Sequence, residues 1–210
     1  FLGREETISN SHRVRFVGKD SIDKNFSKAL SSVRLNLAQA IINGNHYKIS
    51  IADINLWTQI ILNRILFIRV CEARGLERDG LLKDFAATDF WTEFKRSSYI
   101  DFYEHYDGPM FARIRHIQDL IIDNAVFDDL LSYLYYPSPY CFDVIPLKSI
   151  SDIYDLFLGY HLEYDDSGIL ENVLKSEFRK SNGAVTTPEH IVHNTIDSTV
   201  PSEYLQSLTN

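Results

Sequence analysis

The chain has 210 residues, of which 45% are hydrophobic, and this is enough for one sizeable core. Its formal net charge of −8 argues against a domain that holds nucleic acid by itself through phosphate neutralisation. The two cysteines, Cys71 and Cys141, lack the spacing of a disulfide framework or a zinc site, so we expect a cytoplasmic location.

The amino-terminal segment is polar and locally basic. Because the chain starts with Phe1 and shows no charged-then-apolar leader, we expect a piece of a longer protein. Residues 1–18 are predicted to form an extended arm from a preceding domain. Between Phe1 and Arg34, seven lysines and arginines outnumber four acids. This balance is more typical of a solvated basic tail and helix face than of a track for phosphates.

Two long helices are predicted next. From Asp20 or Ser21, either of which can cap a helix, apolar residues recur at three- and four-residue steps to about residue 42. A second helix follows, with Asp53 as its predicted cap. Its most apolar part, residues 56–75, must be covered by the rest of the chain.

Polar residues inside this apolar stretch argue against a membrane span. Asn63, Arg64 and Arg69 lie in its middle, and a charged side chain at a bilayer centre costs roughly 2.5–3.5 kcal/mol. We therefore predict a buried helix and no membrane partner. Gly75 is expected to close it in a left-handed conformation.

Shorter elements follow the apolar helix. Residues 89–106 are dense in aromatic side chains and predict one or two helices with large rings between layers. Amphipathic spacing predicts further helices over residues 123–136 and about 146–160. Prolines in the segment 136–140 end the first of these, because proline cannot continue the backbone hydrogen bonds of a helix.

The sequence pattern changes after residue 160, from helical spacing to short strands. A small β-hairpin is predicted over residues 161–174, with its turn at residues 165–168, and a polar linker follows. Thr187 and Pro188 are typical of the cap and the first position of a last helix. The fold class predicted is mainly α, an irregular multi-helix bundle with a small β-hairpin near the carboxyl terminus.

One set of residues has the types found in metal-dependent nucleases. Asp89, Glu93 and Lys95 offer two carboxylates for a divalent ion and a lysine to orient a water. Such sites usually place the second acid and the lysine on a strand, whereas this stretch predicts a helix. Chance coincidence is therefore the better interpretation.

A pair of histidines near the carboxyl terminus has a plainer interpretation than a metal site. His190 and His193 stand three apart on the last predicted helix, which suits a metal, but exposed helix histidines explain the spacing better. No phosphate-binding loop, nucleophile elbow or cysteine pair occurs, so no catalytic residue and no metal ligand is assigned.

The apolar helix also carries a charged cluster of Arg64, Arg69, Glu72 and Arg74. Its first interpretation is structural, a set of ion pairs at three- and four-residue spacing, each worth a few tenths of a kcal/mol, about 0.2–0.5, where the side chains are exposed. The second is an anchor for another domain.

Three segments together resemble a known family. They are residues 62–76, LNRILFIRVCEARGL; residues 134–159, with LYYPSPY, FDVIP and IYDLFLG; and residues 179–192, RKSNGAVTTPEHIV. In order and spacing they resemble large single-chain type IIG restriction–modification enzymes and related N6-adenine DNA methyltransferases.

The resemblance implies a domain arrangement. Residues 1–18 would be the arm from a preceding domain, 19–160 a helical connector domain, and 161–182 the hairpin and linker. Residues 183–210 would be the start of the methyltransferase domain. The connector would lie between a nuclease domain and the methyltransferase domain, with DNA as the partner of the parent enzyme.

The resemblance also implies a cofactor site. Thr186, Thr187 and Pro188 match the motif that forms part of the S-adenosylmethionine pocket, although Val185 and Thr186 replace the usual aromatic before Thr-Pro. A capped helix start independently offers free N–H groups to a ligand carboxylate. Magnesium is implied only for a nuclease domain of the parent, and no cofactor is expected in this piece.

The functional prediction is a non-catalytic helical connector of an enzyme that methylates adenine N6 in DNA and has a potential for cleavage. The chain lacks the glycine-rich cofactor loop and the Asn/Asp-Pro-Pro-Tyr/Phe motif, without which the target adenine is not held. We therefore expect this piece alone to be inactive. The alternative is a helical protein-interaction scaffold unrelated to DNA.

Overall fold

The computed structural model describes residues 19–106, 109–138, 140, 142, 159–175 and 189–199. Two long helices, α1 (Lys19–Gly44) and α2 (Ile51–Ala73), precede shorter ones. These are α3 (Leu81–Ala86), α4 (Phe90–Tyr99), α5 (Asp101–Tyr106), a 3-10 turn (Pro109–Phe111), α6 (Arg115–Gln118) and α7 (Ala125–Leu134). Strands β1 (Tyr160–Tyr164) and β2 (Leu170–Leu174) and helix α8 (Glu189–Thr199) complete the described part, so the mainly α fold with a hairpin is confirmed.

Helix α2 starts earlier than its apolar stretch and has a different cap from the one predicted. The Ser50 hydroxyl accepts the Asp53 backbone N–H at 3.1 Å, so Ser50 is the cap and Asp53 lies in the first turn. The prediction of Asp53 as the cap is wrong. A serine directly before the helix has the geometry to reach that N–H, whereas Asp53 is already helical.

The end of α2 is as predicted. Gly75 has a φ of +69°, the left-handed conformation that glycine adopts without a steric penalty. Its N–H bonds to the Glu72 carbonyl at 3.0 Å, and the Leu76 N–H bonds to the Cys71 carbonyl at 2.9 Å. These two bonds form a Schellman motif, which satisfies carbonyls that the helix itself leaves open.

Helix α2 lies in the middle of the hydrophobic core. By length and composition it could cross a membrane. However, its buried side chains include Arg64, Arg69 and Glu72, and it packs against α1, α3, the 3-10 turn and β1. A helix with buried charges and protein neighbours is a core helix, as the sequence predicted.

Aromatic side chains fill the space beside α2. The rings of Phe90 and Phe127 are stacked at 4.3 Å, and Trp91 stacks against Phe127 at 5.9 Å. The Trp91 indole N–H donates to the Leu120 carbonyl at 2.8 Å, which satisfies its polar atom inside the core. The predicted aromatic-rich region is thus two helices, α4 and α5, packed against α7 and the 3-10 turn.

The hairpin is antiparallel, with Tyr160 opposite Leu174 and Tyr164 opposite Leu170. Asp165 organises its turn, because the Asp165 side chain accepts the N–H of Ser167 at 2.9 Å and of Ile169 at 2.7 Å. The predicted hairpin is therefore confirmed. The arm, most of the predicted helix over residues 146–160, most of the linker and the cap of α8 lie outside the described residues.

Candidate functional site at the junction of the helices and the hairpin

Arg34 of α1 is the centre of a polar junction between α1, α2 and the hairpin. Its side chain is buried, and its guanidinium donates to the Tyr160 carbonyl at 2.8 Å and to Asn55 Oδ1 at 3.0 Å. Burial lowers the pKa of Arg34 to about 10, which still leaves it charged at neutral pH. The interpretation of the basic segment as solvated is therefore wrong for Arg34, since this position lies on the buried side of α1.

Asn55 of α2 continues the junction along β1. Its Nδ2 donates to the Leu162 carbonyl and its Oδ1 accepts the Leu162 N–H, both at 2.8 Å. The side-chain amide thus pairs with β1 as a peptide group of a neighbouring strand would. Because Oδ1 also accepts from Arg34, one amide ties the hairpin to both long helices.

A small apolar cluster lies beside these polar bonds. Ala38 of α1, Ile54 of α2, Leu162 of β1 and Leu170 of β2 are buried together, apart from the main core. At the end of the hairpin the Lys175 N–H bonds to the Gly159 carbonyl at 2.9 Å. The chain therefore leaves β2 from a position that is fixed on α1 and α2.

Further along α2, Arg64 is fully buried and bonded to backbone carbonyls. Its Nε donates to the Met110 carbonyl at 2.7 Å and its Nη2 to the Ala112 carbonyl at 2.8 Å. The guanidinium also lies 5.2 Å from the Tyr99 ring and 5.7 Å from the Phe111 ring. Arg64 therefore holds the 3-10 turn and the end of α4 against α2.

A second buried network surrounds Glu72. Its carboxylate accepts from the Tyr135 hydroxyl at 2.6 Å and the Leu82 N–H at 3.0 Å, and lies 3.5 Å from Arg69. Burial raises the pKa of Glu72, and hydrogen bonds from Tyr135 and Leu82 oppose this rise. The predicted ion pair at three-residue spacing is present between Arg69 and Glu72, but it is buried and not exposed; of the cluster, Arg74 is exposed.

The predicted cofactor residues Thr186, Thr187 and Pro188 lie outside the described residues, and their role stays a prediction. His190 and His193 lie on α8 with exposed side chains. Within the described part of the chain, no group of three or more metal-ligating side chains comes together.

The residues of the nuclease interpretation have structural partners. Asp89 caps α4 by accepting the Thr92 N–H at 3.1 Å, and hydrogen bonds from Asn124 and Thr92 lower its pKa. Glu93 pairs with Arg96 at 3.1 Å, while Lys95 donates to the Gln118 carbonyl at 3.2 Å. The structure does not arrange these three side chains around a common metal site.

The sequence reasoning missed Arg34 and Asn55 as junction residues. A usable signal was present, because Arg34 follows Leu30 by four residues and precedes Ala38 by four, inside the apolar stripe of α1. A long polar side chain in such a stripe needs a buried partner. The identity of that partner depended on the hairpin, which is more than a hundred residues away in sequence.

Comparison with known proteins agrees with the resemblance. No family model and no solved structure matches the chain. The chain is 31% identical over 183 residues to the type II restriction enzyme and methyltransferase RM.Eco57I of Escherichia coli. The match covers 86% of this chain but only 18% of that protein. The chain is therefore similar to a segment of a bifunctional restriction–modification enzyme, as its three motifs indicated.

Proposed function

We propose that this chain is the non-catalytic helical connector of a restriction–modification enzyme, ending just inside the methyltransferase domain. The parent methylates adenine N6 in DNA with S-adenosylmethionine, carries a nuclease domain that uses magnesium where it cleaves, and works in the cytoplasm. The observation that carries the proposal is the 31% identity along 86% of this chain to a protein that joins a restriction enzyme and a methyltransferase.

The fold supports a connecting role. A connector that sets the geometry between two domains must transmit position through packed elements and not through a flexible tether. In this chain the hairpin is bonded to α1 and α2 through Arg34 and Asn55 and shares a buried cluster with them. The segment after β2 therefore starts from a defined place on the helical body.

The cofactor side of the proposal rests on the segment before α8. Thr187 would cap the helix that follows, and Pro188 would take its first position, where no backbone N–H is needed. The free N–H groups of that helix start suit the carboxylate of S-adenosylmethionine. Thr186 would lie beside them in place of the usual aromatic.

Calorimetry on the full natural protein tests this function. We expect the protein to bind S-adenosylmethionine. Thr187→Ala should lower this affinity about threefold to tenfold, as expected for the loss of one hydrogen bond. Thr195→Ala is the matched control, because Thr195 lies on α8 and its hydroxyl bonds to the Ile191 carbonyl.

Three outcomes separate the possibilities. Loss of affinity in Thr187→Ala alone supports the cofactor site. Equal affinity in both variants contradicts the assignment of Thr187 to the cofactor site. It does not contradict the connector role if the protein still methylates adenine in DNA. No S-adenosylmethionine binding by the full protein contradicts the proposed function itself.

A further inference from the structure

One pocket beside α4 is bordered by cations. It has a volume of about 470 Å³ and is lined by Lys95, Arg96, Tyr99, Ile100, Arg113 and Gln118. Three of these side chains are basic, and no described lining residue is acidic. The pocket of about 690 Å³ between α1 and α7 shows the opposite pattern, with Asp123 and Asp129 and no basic lining residue. The basic lining is therefore a local property in an acidic chain.

Two of the cations form no direct ion pair with a carboxylate of the described residues. Arg96 pairs with Glu93 at 3.1 Å and Asp101 at 3.5 Å. In contrast, Lys95 donates to the carbonyls of Gln118 and Leu120, and no carboxylate of the described residues forms an ion pair with it. Burial lowers the pKa of Lys95, because part of its hydration is lost, and the nearby charges of Asp89 and Asp119 oppose this fall.

Arg113 completes the cationic part of the pocket. Its Nε donates to the Gln118 side-chain oxygen at 2.8 Å, and the described residues hold no carboxylate within ion-pair distance of it. The amide that receives this bond belongs to the same residue whose carbonyl receives Lys95. The side chains of Lys95 and Arg113 therefore both bond to Gln118, which also lines the pocket.

Tyr99 adds an aromatic ring to the same lining. Its hydroxyl oxygen is buried and has no hydrogen-bond partner among the described residues. The ring is held by Arg64, whose guanidinium lies 5.2 Å from it. Because that oxygen has almost no solvent-accessible surface, Tyr99 offers the pocket its ring and not a hydrogen-bond donor.

We propose that this pocket binds one phosphate group of a DNA backbone. A phosphodiester is anionic and has only acceptor oxygens, which suits a lysine and an arginine. The nearby acids Glu93 and Asp101 restrict the contact to one phosphate and not a long track, in keeping with the net charge of −8. The choice of DNA rests on the proposed function, and such a contact positions the duplex without reading its sequence.

Fluorescence anisotropy of the full natural protein with a short labelled duplex tests this site over a range of salt concentrations. We expect Arg113→Gln to weaken binding and to reduce the slope of log K against log salt by about 0.9, the value for one phosphate contact. Arg115→Gln is the matched control, because Arg115 loses the same charge two residues away, is paired with Asp119 at 4.0 Å, and does not line the pocket. It should leave the slope unchanged.

A second control removes the Tyr99 hydroxyl. Tyr99→Phe should leave the duplex affinity and the salt slope unchanged, because the hydroxyl oxygen is closed off from the open pocket. It should not lower the melting temperature, since the hydroxyl has no partner to lose among the described residues. An equal effect of Arg113→Gln and Arg115→Gln, or no effect of either, overturns the site.

Inorganic phosphate distinguishes the source of the ligand. We expect it to compete with the duplex only weakly. The DNA assignment would be overturned if inorganic phosphate binding depended on Arg113 while duplex affinity did not. The pocket would then be a site for a free anion. A full protein that binds no duplex contradicts the proposed function as well, whereas duplex binding insensitive to Arg113 contradicts this inference alone.

Discussion

Replacement of Arg64 by methionine is expected to destabilise the chain strongly. Arg64 is 1% exposed, and its two hydrogen bonds satisfy the Met110 and Ala112 carbonyls at 2.7 and 2.8 Å. Methionine has a similar length and no donor, so both carbonyls lose their charged partner. Each unsatisfied carbonyl costs about 1–3 kcal/mol, and relief from burying a charge offsets part of the sum. We expect a net loss of about 2–4 kcal/mol in the free energy of unfolding.

Urea denaturation followed by circular dichroism gives this free energy for the wild type and three variants. The free energy of unfolding of Arg64→Lys should fall between those of wild type and Arg64→Met. One ammonium keeps the charge but cannot donate to both carbonyls as the planar guanidinium does. Arg74→Met is the control, since Arg74 is exposed at the end of the same helix. An Arg64→Met variant within about 0.5 kcal/mol of wild type would refute the structural role of the buried guanidinium.

Three further perturbations test other parts of the fold. The pKa of Glu72 is raised in the folded chain, so the free energy of unfolding is greatest below the unfolded pKa and falls as pH rises through the folded pKa. Glu72→Gln should remove this pH dependence from the urea midpoint. A midpoint that still falls with pH in the variant would assign the dependence to another group. Gly44→Ala would bring a Cβ against the Ile121 carbonyl and should cost about 1–3 kcal/mol, so an unchanged melting temperature would contradict that close approach. Asn55→Leu removes both amide bonds to Leu162, and hydrogen exchange should show faster exchange in β1 and β2 than in α7; equal protection would mean that the apolar cluster alone holds the hairpin.

Local patterns predicted much of the fold. The three- and four-residue spacing of α1, the glycine that closes α2 and the turn that closes the hairpin each depend on neighbouring residues, and each was read correctly. The cap of α2 was assigned three residues too late because apolar spacing, and not hydrogen-bond geometry, set the apparent start of the helix. Ser50 was the better candidate on position alone.

The polar interior could not be predicted in the same way. Spacing placed Arg69 and Glu72 on neighbouring turns, but the same spacing occurs in exposed pairs, and burial depends on α3 and α7 packing over them. The pocket beside α4 joins residues from α4 and from the region around α6 that no single helical pattern connects. Tertiary packing decides such sites, and helical periodicity does not encode it.

The long-range bonds at Arg34 and Asn55 also set an order of folding. Tyr160 is 126 residues from Arg34, and Leu162 is 107 residues from Asn55, so both bonds close very long loops. The loop-closure entropy is offset only if the partner surface already exists, and an isolated two-stranded hairpin is marginal in water. During synthesis α1 and α2 leave the ribosome first and can pair before the hairpin is made. We therefore expect the hairpin to dock late, on a surface that α1 and α2 have already formed.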